Sequence, residues 1–561
     1  MRAVDVVICG AGPVGLTMSM LLSREKISHV LLEKRPQVSE LPRARGIMSR
    51  TVEIWSQFGL NPELTAFSLP PEWNHRFVYR HRLGGELIGT MPSRCMAPGA
   101  VDAFTPYPFR CVAQDKIDAM LWRRAAAFDD AELRFSTELL SIEQGPEHVV
   151  LSVRNPDGAV ERLATKWLIA ADGGKSPLRE GAGIGCTGPT NLGTYLNTYF
   201  DADLSRWTAG EHKGPLIWAL DRGFTGTFQA LDGRTRWMCQ IMIDPEQEPI
   251  ASWTKEKVVR RLRDLVGDPA IEEVQFDLHS FYGYQLAACV ADRLRDGRLF
   301  LIGDSAHRIP PAGGSGMNTG AQTAHNLAWK LAAVIRGEAG EGLLDSFDPE
   351  RRQAAWRSCD YGRVNAHFIQ DMVMAPTDDA KRDIIARSRQ FGNWAGLDLG
   401  VHYEGDGAFV PDESLPPVVD DPVIDYVPTA KPGYRAPHLW LRRDDERISS
   451  IDLCDGRFVL LAGPEGTAWR EAAQRLTAPD VAAYLVGAGG DWQPEGDFLS
   501  LYGLSSEGAV LVRPDGHVAF RSPGAVSDHA ATLAAAMDRI LARETSKERT
   551  DKVPMALAGR T

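Results

Sequence analysis

The sequence lacks any apolar run long enough to cross a membrane. Its apolar windows are short, and residues 166–171 are a typical one. A membrane-spanning helix takes about 18 or more consecutive apolar residues. The N-terminal stretch does not match a secretory signal, because Asp5 interrupts the place where an apolar core would lie. We therefore expect a cytoplasmic protein that does not associate with membranes.

Closely spaced cysteines are also missing. None of the eight cysteines stands in a C-x-x-C pair, and no histidine cluster lies beside one of them. Structural zinc sites use such closely spaced ligands, so we expect no metal centre. Disulfides are rare in the cytoplasm, and buried free thiols are therefore the expected state.

Positive charge is in deficit. The chain has 62 Lys plus Arg against 74 Asp plus Glu, which gives a net charge of −12. Such a balance provides no general attraction to nucleic acid or to anionic lipid. The hydrophobic share of 44% and the charged share of 24% are those of an ordinary globular protein, so a mostly disordered or fibrous chain is excluded.

A glycine-rich turn stands near the N-terminus between two predicted strands. The apolar run 4–9 leads into Gly10-x-Gly12-x-x-Gly15, a helix-forming stretch follows, and the run 30–32 ends at Glu33. In such a βαβ unit the glycines allow a tight turn, close approach of a diphosphate and close helix packing. Glu33 stands where a carboxylate binds ribose hydroxyls. The pattern predicts dinucleotide binding without separating FAD from NAD(P).

Two further apolar strands end in an aspartate. One leads into Asp172-Gly173, and the other leads into Gly303-Asp304. A glycine-rich loop at 310–318 follows the second strand and precedes a predicted helix. Backbone N–H groups at such a helix N-terminus favour delocalised negative charge, which the pyrimidine edge of a reduced flavin develops.

These three motifs together resemble the group A flavoprotein monooxygenases, the aromatic hydroxylases. That family carries G-x-G-x-x-G, then D-G-x-x-S-x-x-R, then G-D-x-A-H-x-x-x-P-x-x-G-x-G-x-N, and the chain has all three in order within residues 3–395. The resemblance also implies flavin contacts for the arginine-rich segment 42–45 and for Gln114. The predicted cofactor-binding residues are Gly10, Gly12, Pro13, Val14, Gly15, Glu33, Lys34, Arg43, Arg45, Gln114, Asp172, Gly173, Gly303, Asp304, Pro311, Gly316, Met317 and Asn318.

The C-terminal part looks like the thioredoxin-like domain appended to phenol and polyketide hydroxylases, on the strength of residues 433–438 and 511–519. Only Cys454 lies in this region, so no dithiol chemistry is expected there. The expected fold class is α/β, with a Rossmann-like FAD-binding domain, a mostly antiparallel-sheet substrate domain and a thioredoxin-like α/β domain. The predicted bounds are 1–70, 100–185 and 285–395 for FAD, 71–99 and 186–284 for substrate, 396–433 for a linker, 434–545 for the thioredoxin-like domain and 546–561 for a tail.

The middle of the chain is rich in alternating aromatic and polar residues, as in an antiparallel sheet. Arg45 is the predicted catalytic side chain, since the resemblance places a polar residue there, near flavin and substrate. The predicted substrate-pocket residues are Arg222, Phe224, Phe228, Trp237, Met238, Tyr282 and Pro310.

The resemblance implies that NAD(P)H reduces bound FAD, that O₂ adds to form a flavin hydroperoxide, and that an aromatic carbon is hydroxylated. Lys34 and Arg35 favour NADPH over NADH. A polycyclic aromatic polyketide of antibiotic biosynthesis is the favoured substrate, and a homodimer is expected from the family. The alternatives are a simple phenol hydroxylase, Baeyer–Villiger oxygenation, antibiotic inactivation, an NAD-dependent dehydrogenase and a non-catalytic FAD-binding assembly protein.

Overall fold

The structure, a computed structural model, describes residues 2–221 and 224–543. The chain forms two compact units. The N-terminal unit comprises the chain up to residue 325 together with 351–401 and 419–427, and the C-terminal unit comprises 326–350, 402–418 and the chain from 428 onward. Within the described ranges, no helix is long and apolar enough to cross a membrane.

The N-terminal unit holds the strands that form its sheets. In chain order they are β1 (Arg2–Cys9), β2 (His29–Leu32), β3 (Gly46–Ile47), β4 (Arg76–Arg80), β5 (Leu87–Pro92), β6 (Arg110–Cys111), β7 (Ala131–Arg134), β8 (Glu138–Gln144), β9 (Val149–Arg154), β10 (Val160–Ala170), β11 (Cys186–Thr187), β12 (Thr194–Asp201), β13 (Leu216–Asp221), β14 (Phe224–Ala230), β15 (Arg236–Ile243), β16 (Asp277–Gln285), β17 (Cys289–Ala291), β18 (Arg295–Asp296), β19 (Leu299–Leu301) and β20 (His307–Arg308).

Helices connect and cover these strands. In chain order they are α1 (Pro13–Arg24), α2 (Ser49–Ser56), α3 (Asn61–Phe67), α4 (Gln114–Ala125), α5 (Pro177–Gly181), α6 (Ser205–Thr208), α7 (Lys255–Val266), α8 (Gly316–Ile335), α9 (Phe347–Met374), α10 (Asp378–Arg387) and α11 (Ala395–Leu399). The chain passes from one unit to the other within α8 and again within α9.

A mainly parallel sheet carries the three sequence motifs. Its strand order is β18-β19-β10-β1-β2-β7, and β19, β10, β1, β2 and β7 run parallel. Val6, Val7 and Ile8 of β1 are all fully buried, as expected for a strand covered on both faces. The carboxyl ends of parallel strands meet at one edge, so the loops after β1, β2, β10 and β19 come together there.

A second, seven-stranded sheet follows the order β16-β12-β15-β14-β13-β4-β5 and is antiparallel except for the β13–β4 pair. Side chains alternate between its two faces. One face packs on α7, where a Cβ added to Gly226 would lie only 2.8 Å from Leu265 Cδ1. This close packing places one face of β14 and of its neighbouring strands in the hydrophobic core. The opposite face of the sheet does not pack on α7.

The C-terminal unit has two further sheets. Its strands and helices are β21 (Trp440–Arg443), β22 (Glu446–Ser449), β23 (Phe458–Ala462), β24 (Val481–Leu485), β25 (Gln493–Pro494), β26 (Ala509–Val512), β27 (Val518–Ser522), α12 (Thr467–Gln474), α13 (Phe498–Tyr502) and α14 (His529–Ile540). The four-stranded sheet has the order β24-β23-β26-β27, in which β23 and β24 run parallel and the other pairs antiparallel.

Residues 326–350 belong to the C-terminal unit by their contacts, although the sequence analysis assigned them to the FAD-binding domain. A buried ionic network joins this segment to the rest of the C-terminal unit. Lys330 Nζ donates to Glu350 Oε2 at 2.8 Å, and Arg513 Nη1 and Nη2 donate to the two oxygens of Glu350 at 2.8 and 3.0 Å. Arg513 also bonds Asp515. These four charges balance, which permits their complete burial.

Candidate active site

A cavity of about 1090 Å³ lies in the N-terminal unit. Its walls come from the carboxyl edge of the parallel sheet, from one face of the antiparallel sheet, and from the loop at 309–317. Residues of α9 and the segment 391–394 complete the lining. The cavity therefore joins all three sequence motifs to a wall of aromatic and polar side chains.

The loop between β1 and α1 is packed as tightly as its glycine spacing predicts. Gly10 has φ +112°, and an added Cβ would lie 2.3 Å from the Ala171 carbonyl oxygen. A Cβ on Gly15 would lie 2.0 Å from the Gly10 carbonyl oxygen, whereas a Cβ on Gly12 would meet nothing within 4 Å. Gly12 also caps α1 without any side-chain hydrogen bond. Gly12, Pro13, Val14 and Gly15 all line the cavity, so the N-terminus of α1 lies at its wall, which suits a diphosphate.

Glu33 is held beside this loop as an anion. Its Oε2 accepts a hydrogen bond from the Ala11 N–H at 2.9 Å, and Arg35 Nε donates to Oε1 at 2.9 Å. Burial alone would raise the pKa of Glu33, but the bonds from Arg35 and Ala11 outweigh it and lower that pKa. Lys34 lines the cavity next to it.

Asp172 and Asp304 face the same cavity from the ends of β10 and β19. Asp172 accepts hydrogen bonds from Ser176 Oγ at 2.6 Å and from the Leu178 N–H at 3.2 Å. Asp304 lines the cavity, and desolvation by the surrounding protein raises its pKa. Burial also raises the pKa of Asp172. Gly173 and Gly303, at φ +88° and +62°, turn the chain at both strand ends.

Asn318 connects two loops of the cavity wall by hydrogen bonds, although it does not itself line the cavity. Its Nδ2 donates to the carbonyl oxygens of Gly46 at 3.0 Å and Gly314 at 2.7 Å, and its Oδ1 accepts from the Met48 N–H at 2.8 Å. Asn318 does not line the cavity, whereas Pro311, Gly316 and Met317 do. Its contacts are those of a residue that positions the loops.

Arg45 lines the cavity, but its guanidinium is engaged by the protein. Nε donates to Gln229 Oε1 at 2.9 Å, Nη1 to the Ala230 carbonyl at 3.1 Å and to Cys111 Sγ at 3.3 Å, and Nη2 to the Pro215 carbonyl at 2.5 Å. This bonding clamps the loop before β3 onto the antiparallel sheet. Its predicted catalytic part stays a prediction, and the observed geometry is that of a positioning residue.

Gln114 begins α4 and holds the same loop, since its Oε1 accepts from the Ala44 N–H at 2.9 Å. One turn later Asp118 lines the cavity while almost fully buried, and burial raises its pKa to about 7. Arg43 lies over the ring of Tyr282 at 5.7 Å. Asp118 is not among the residues predicted from the sequence, because an aspartate on an amphipathic helix is usually on the surface.

Strand alternation divides the predicted substrate-pocket residues between two faces. Tyr282 lines the cavity. Phe228 and Trp237 point to the other face and belong to the hydrophobic core, so for them the pocket prediction is wrong. Met238 packs against Ala113 and Leu231 instead of lining the cavity.

The other three predicted pocket residues are Pro310, Arg222 and Phe224. Pro310 is buried behind the cavity, against Gly362, where an added Cβ would lie 2.9 Å from Pro310 Cδ. Arg222 and the side chain of Phe224 lie outside the described residues.

The polar wall of the cavity is not among the features predicted from the sequence. Asn197, Thr227 and Gln240 line it with Trp218 and Tyr195. The alternating pattern of these strands was visible in the sequence, but which of the two faces lies in the core was not.

The lining fits FAD on its own geometry. An open glycine cradle that a Cβ at Gly12 would fill, a carboxylate fixed beside it and an aspartate in the cavity wall match the diphosphate, ribose and ribityl parts of a flavin dinucleotide. The cavity is also larger than a drug-sized ligand needs, which leaves room for a second molecule.

Comparison with known proteins agrees with this fit. The FAD binding domain family matches residues 3–361, and the aromatic-ring hydroxylase C-terminal family matches residues 429–543. An aklavinone 12-hydroxylase of Streptomyces purpurascens is 34% identical over 96% of this chain and 99% of its own length. A 4-methyl-5-nitrocatechol 5-monooxygenase of a Burkholderia species is 33% identical over 96% of this chain and 98% of its own length.

Solved structures show the same likeness in three dimensions. The flavin-dependent monooxygenase PieE in complex with FAD and substrate matches with a TM-score of 0.89 at 29% identity, over 97% of this chain and 99% of that one. A ternary complex of aklavinone-11 hydroxylase with FAD and aklavinone matches with a TM-score of 0.85 at 32% identity, over 97% and 100%. The chain therefore belongs to the FAD-dependent aromatic-ring hydroxylases, a family of monooxygenases.

Proposed function

We propose that this protein is an NADPH- and FAD-dependent monooxygenase that uses O₂ to hydroxylate a polycyclic aromatic polyketide in antibiotic biosynthesis. The observation that carries the proposal is the single cavity of about 1090 Å³ that unites the FAD-type motifs with a broad aromatic and polar wall. The aklavinone 12-hydroxylase and a putative polyketide hydroxylase of Streptomyces halstedii, to which the chain is similar, support the polyketide class of substrate.

Different segments of the chain would form separate domains with separate roles. A Rossmann-like FAD-binding domain would comprise 1–70, 100–185, 285–325 and 351–395, since 326–350 belong to the C-terminal unit, and the substrate domain would comprise 71–99 and 186–284. After a linker at 396–433, a thioredoxin-like domain at 434–545 precedes the tail at 546–561. Its single cysteine, Cys454, is buried, so the domain would serve structure or dimerisation and not redox exchange.

FAD would be held by the residues that line this cavity. The N-terminus of α1 would face its diphosphate, Glu33 its ribose and Asp304 its ribityl chain, with Asp172 and Gly173 close by. When bound, FAD supplies the acceptor for a hydride from NADPH and the means to activate O₂. The chain's own part is to orient the aromatic ring, to exclude water and to keep the loop at 309–317 in place through Asn318.

Positive charge in the cavity lining supports NADPH as the reductant. Lys34 lines the cavity beside Glu33, and Arg43 and Arg45 are also among the lining residues. Arg35, however, is already paired with Glu33 at 2.9 Å, so Lys34 is the better partner for a 2′-phosphate. NADH remains the alternative reductant, and a comparison of the two rates separates them.

Hydroxylation of a single-ring phenol is the second candidate. The 33% identity to the 4-methyl-5-nitrocatechol 5-monooxygenase favours it specifically. The size of the cavity favours the polycyclic substrate.

The test is reduction kinetics of the purified holoenzyme. We expect a flavin absorbance spectrum and slow reduction by NADPH that accelerates at least tenfold with a hydroxylated anthraquinone or naphthacene compound. Acceleration by single-ring phenols alone would overturn the polycyclic assignment. Failure to bind FAD would overturn the function as a whole.

A further inference from the structure

One row of residues crosses the antiparallel sheet perpendicular to its strands. Trp218 of β13 pairs with Thr227 of β14, which pairs with Gln240 of β15. Gln240 pairs with Asn197 of β12, and Asn197 pairs with Tyr282 of β16. All five line the cavity. We call them the transverse row.

Three members of the transverse row present polar atoms that the protein leaves unpaired. Within the described residues, Trp218 Nε1, Thr227 Oγ1 and Asn197 Oδ1 have no hydrogen-bond partner. Their residues are only 6%, 1% and 3% exposed. A buried polar atom without a partner is costly in free energy, so three in one row facing one cavity indicate a ligand that satisfies them.

A hydrogen bond between two members of the transverse row orients their side chains. Asn197 Nδ2 donates to the Tyr282 hydroxyl at 2.7 Å, which leaves Asn197 Oδ1 as the free acceptor. Burial raises the pKa of Tyr282, so its hydroxyl stays protonated at neutral pH. The row therefore offers an indole donor at one end, an acceptor near the other end and a hydroxyl of either character between them.

The spacing of the row matches a fused-ring compound. Neighbouring strands lie roughly 4.7–4.9 Å apart, so the backbone positions of the row repeat at about that distance. In a linear array of fused six-membered rings, edge positions on alternate rings repeat at nearly the same spacing. An edge that carries oxygen on alternate rings can thus meet successive members of the row.

We propose that the transverse row recognises the oxygen-bearing long edge of a linear polycyclic aromatic substrate, whose long axis lies across the strands. Trp218 would donate to a ring oxygen, and Asn197 would accept from a phenolic hydroxyl. This inference rests on the proposed function and adds to it the chemical feature that the enzyme selects.

Two isomeric probes test the proposal on the holoenzyme. In 1,8-dihydroxyanthraquinone all but one of the oxygens lie on one long edge, whereas 1,5-dihydroxyanthraquinone divides its oxygens equally between two edges. Their formulae are the same and their apolar surfaces are closely similar. We expect the 1,8 isomer to bind at least fivefold more tightly, measured as the dissociation constant from the change in flavin absorbance.

Substitutions in the row should remove that preference. Thr227→Val keeps the shape of the side chain and deletes its hydroxyl, and Trp218→Phe keeps an aromatic ring and deletes the indole N–H. Each should weaken binding of the 1,8 isomer about fivefold, since one hydrogen bond contributes about that factor. Thr225→Val is the matched control, because Thr225 lies on the same strand and face but outside the cavity. FAD content verifies that each variant is folded, and the two row variants serve as independent tests.

Each outcome is decisive. Equal affinity of the two isomers for the unchanged enzyme, or a preference that survives in both row variants, overturns the transverse row while leaving the proposed function in place. If neither isomer binds and only single-ring phenols accelerate NADPH oxidation, the polycyclic function fails and the inference fails with it.

Discussion

Asp118 shows how strongly one buried carboxyl responds to its surroundings. It is 1% exposed, its Oδ1 has no partner within the described residues, and its Oδ2 has a weak bond from Gln114 at 3.5 Å. Burial raises its pKa from 3.8 to about 7, although Gln114 and the charges of Arg35 and Arg43 oppose the shift. The residue is therefore a protonated or half-protonated group in the cavity wall near neutral pH.

This shift predicts a pH-dependent effect of Asp118→Asn. Between about pH 4 and 7 the folded state keeps a proton that the unfolded state has lost, so ionisation makes the native enzyme less stable as the pH rises through this window. Asparagine carries no such penalty. We expect the free energy of unfolding of the variant to exceed that of the native enzyme by on the order of 2 kcal/mol more at pH 8 than at pH 5.

Thermal or urea unfolding at the two pH values measures the difference. Asp129→Asn, at an exposed position soon after the same helix, is the control and should show no pH-dependent difference. A difference that is the same at pH 5 and pH 8 for Asp118→Asn would contradict the burial of its charge.

The hydrogen bonds of Arg45 could not be predicted from its place in the sequence. The resemblance singled it out as catalytic, and its place in the cavity wall agrees with a position near the reactants. Its guanidinium nevertheless bonds Gln229, Cys111, Ala230 and Pro215. A sequence pattern reports that an arginine stands in a loop, but only the folded chain shows which acceptors surround it.

The cofactor site depends on the turn between β1 and α1. Gly15 in this turn allows close packing of strand and helix, whereas Gly12 leaves space for the cofactor. Gly15→Ala places a Cβ about 2.0 Å from a backbone oxygen, so the strand and helix must move apart. Gly12→Ala meets no protein atom within 4 Å at a φ of −77° that alanine accepts. We expect Gly15→Ala to lower the stability of the FAD-free protein by about 1–3 kcal/mol.

Gly12→Ala should leave the stability of the FAD-free protein unchanged and weaken FAD binding at least tenfold, because the added methyl occupies the space of the diphosphate. Unfolding of the FAD-free proteins and fluorescence titration with FAD measure the two effects. Full FAD affinity in Gly12→Ala would mean that the diphosphate lies elsewhere.

The antiparallel sheet shows what alternation alone cannot decide. Phe228 and Thr227 are neighbours in sequence, and an aromatic residue is the more obvious choice for a pocket that binds rings. The packing of α7 on β14 buries Phe228 in the core and turns Thr227 to the cavity. A period of two divides residues between two faces, and only the tertiary contacts of the sheet tell the faces apart.

At the scale of the whole molecule, the C-terminal unit is held by charges from segments far apart in the chain. Glu350 accepts hydrogen bonds from Lys330 Nζ and from Nη1 and Nη2 of Arg513, and all three side chains are completely buried. Glu350→Gln keeps the shape but leaves two buried cations opposite Asp515 alone. We expect a loss of about 3–5 kcal/mol in the free energy of unfolding, the usual cost of breaking a buried ion pair.

Glu446→Gln is the matched control in the same unit, because its pair with Arg443 is about half exposed and contributes less than about 1 kcal/mol. Urea unfolding of the full-length protein measures both. Equal effects of the two substitutions would contradict the central place of Glu350.

The sequence by itself determined the cofactor class, the parallel sheet and the family. These rest on short-range patterns: a turn from Gly10 to Gly15 and strands that end in Glu33, Asp172 and Asp304 require neighbours in sequence to be neighbours in space. Tertiary structure alone decided which residues meet across the cavity. Asn197 and Tyr282 pair on adjacent strands although 85 positions separate them. Lys330 joins Glu350 and Arg513 only because helix and sheet pack together, and such long-range register depends on the burial of whole faces.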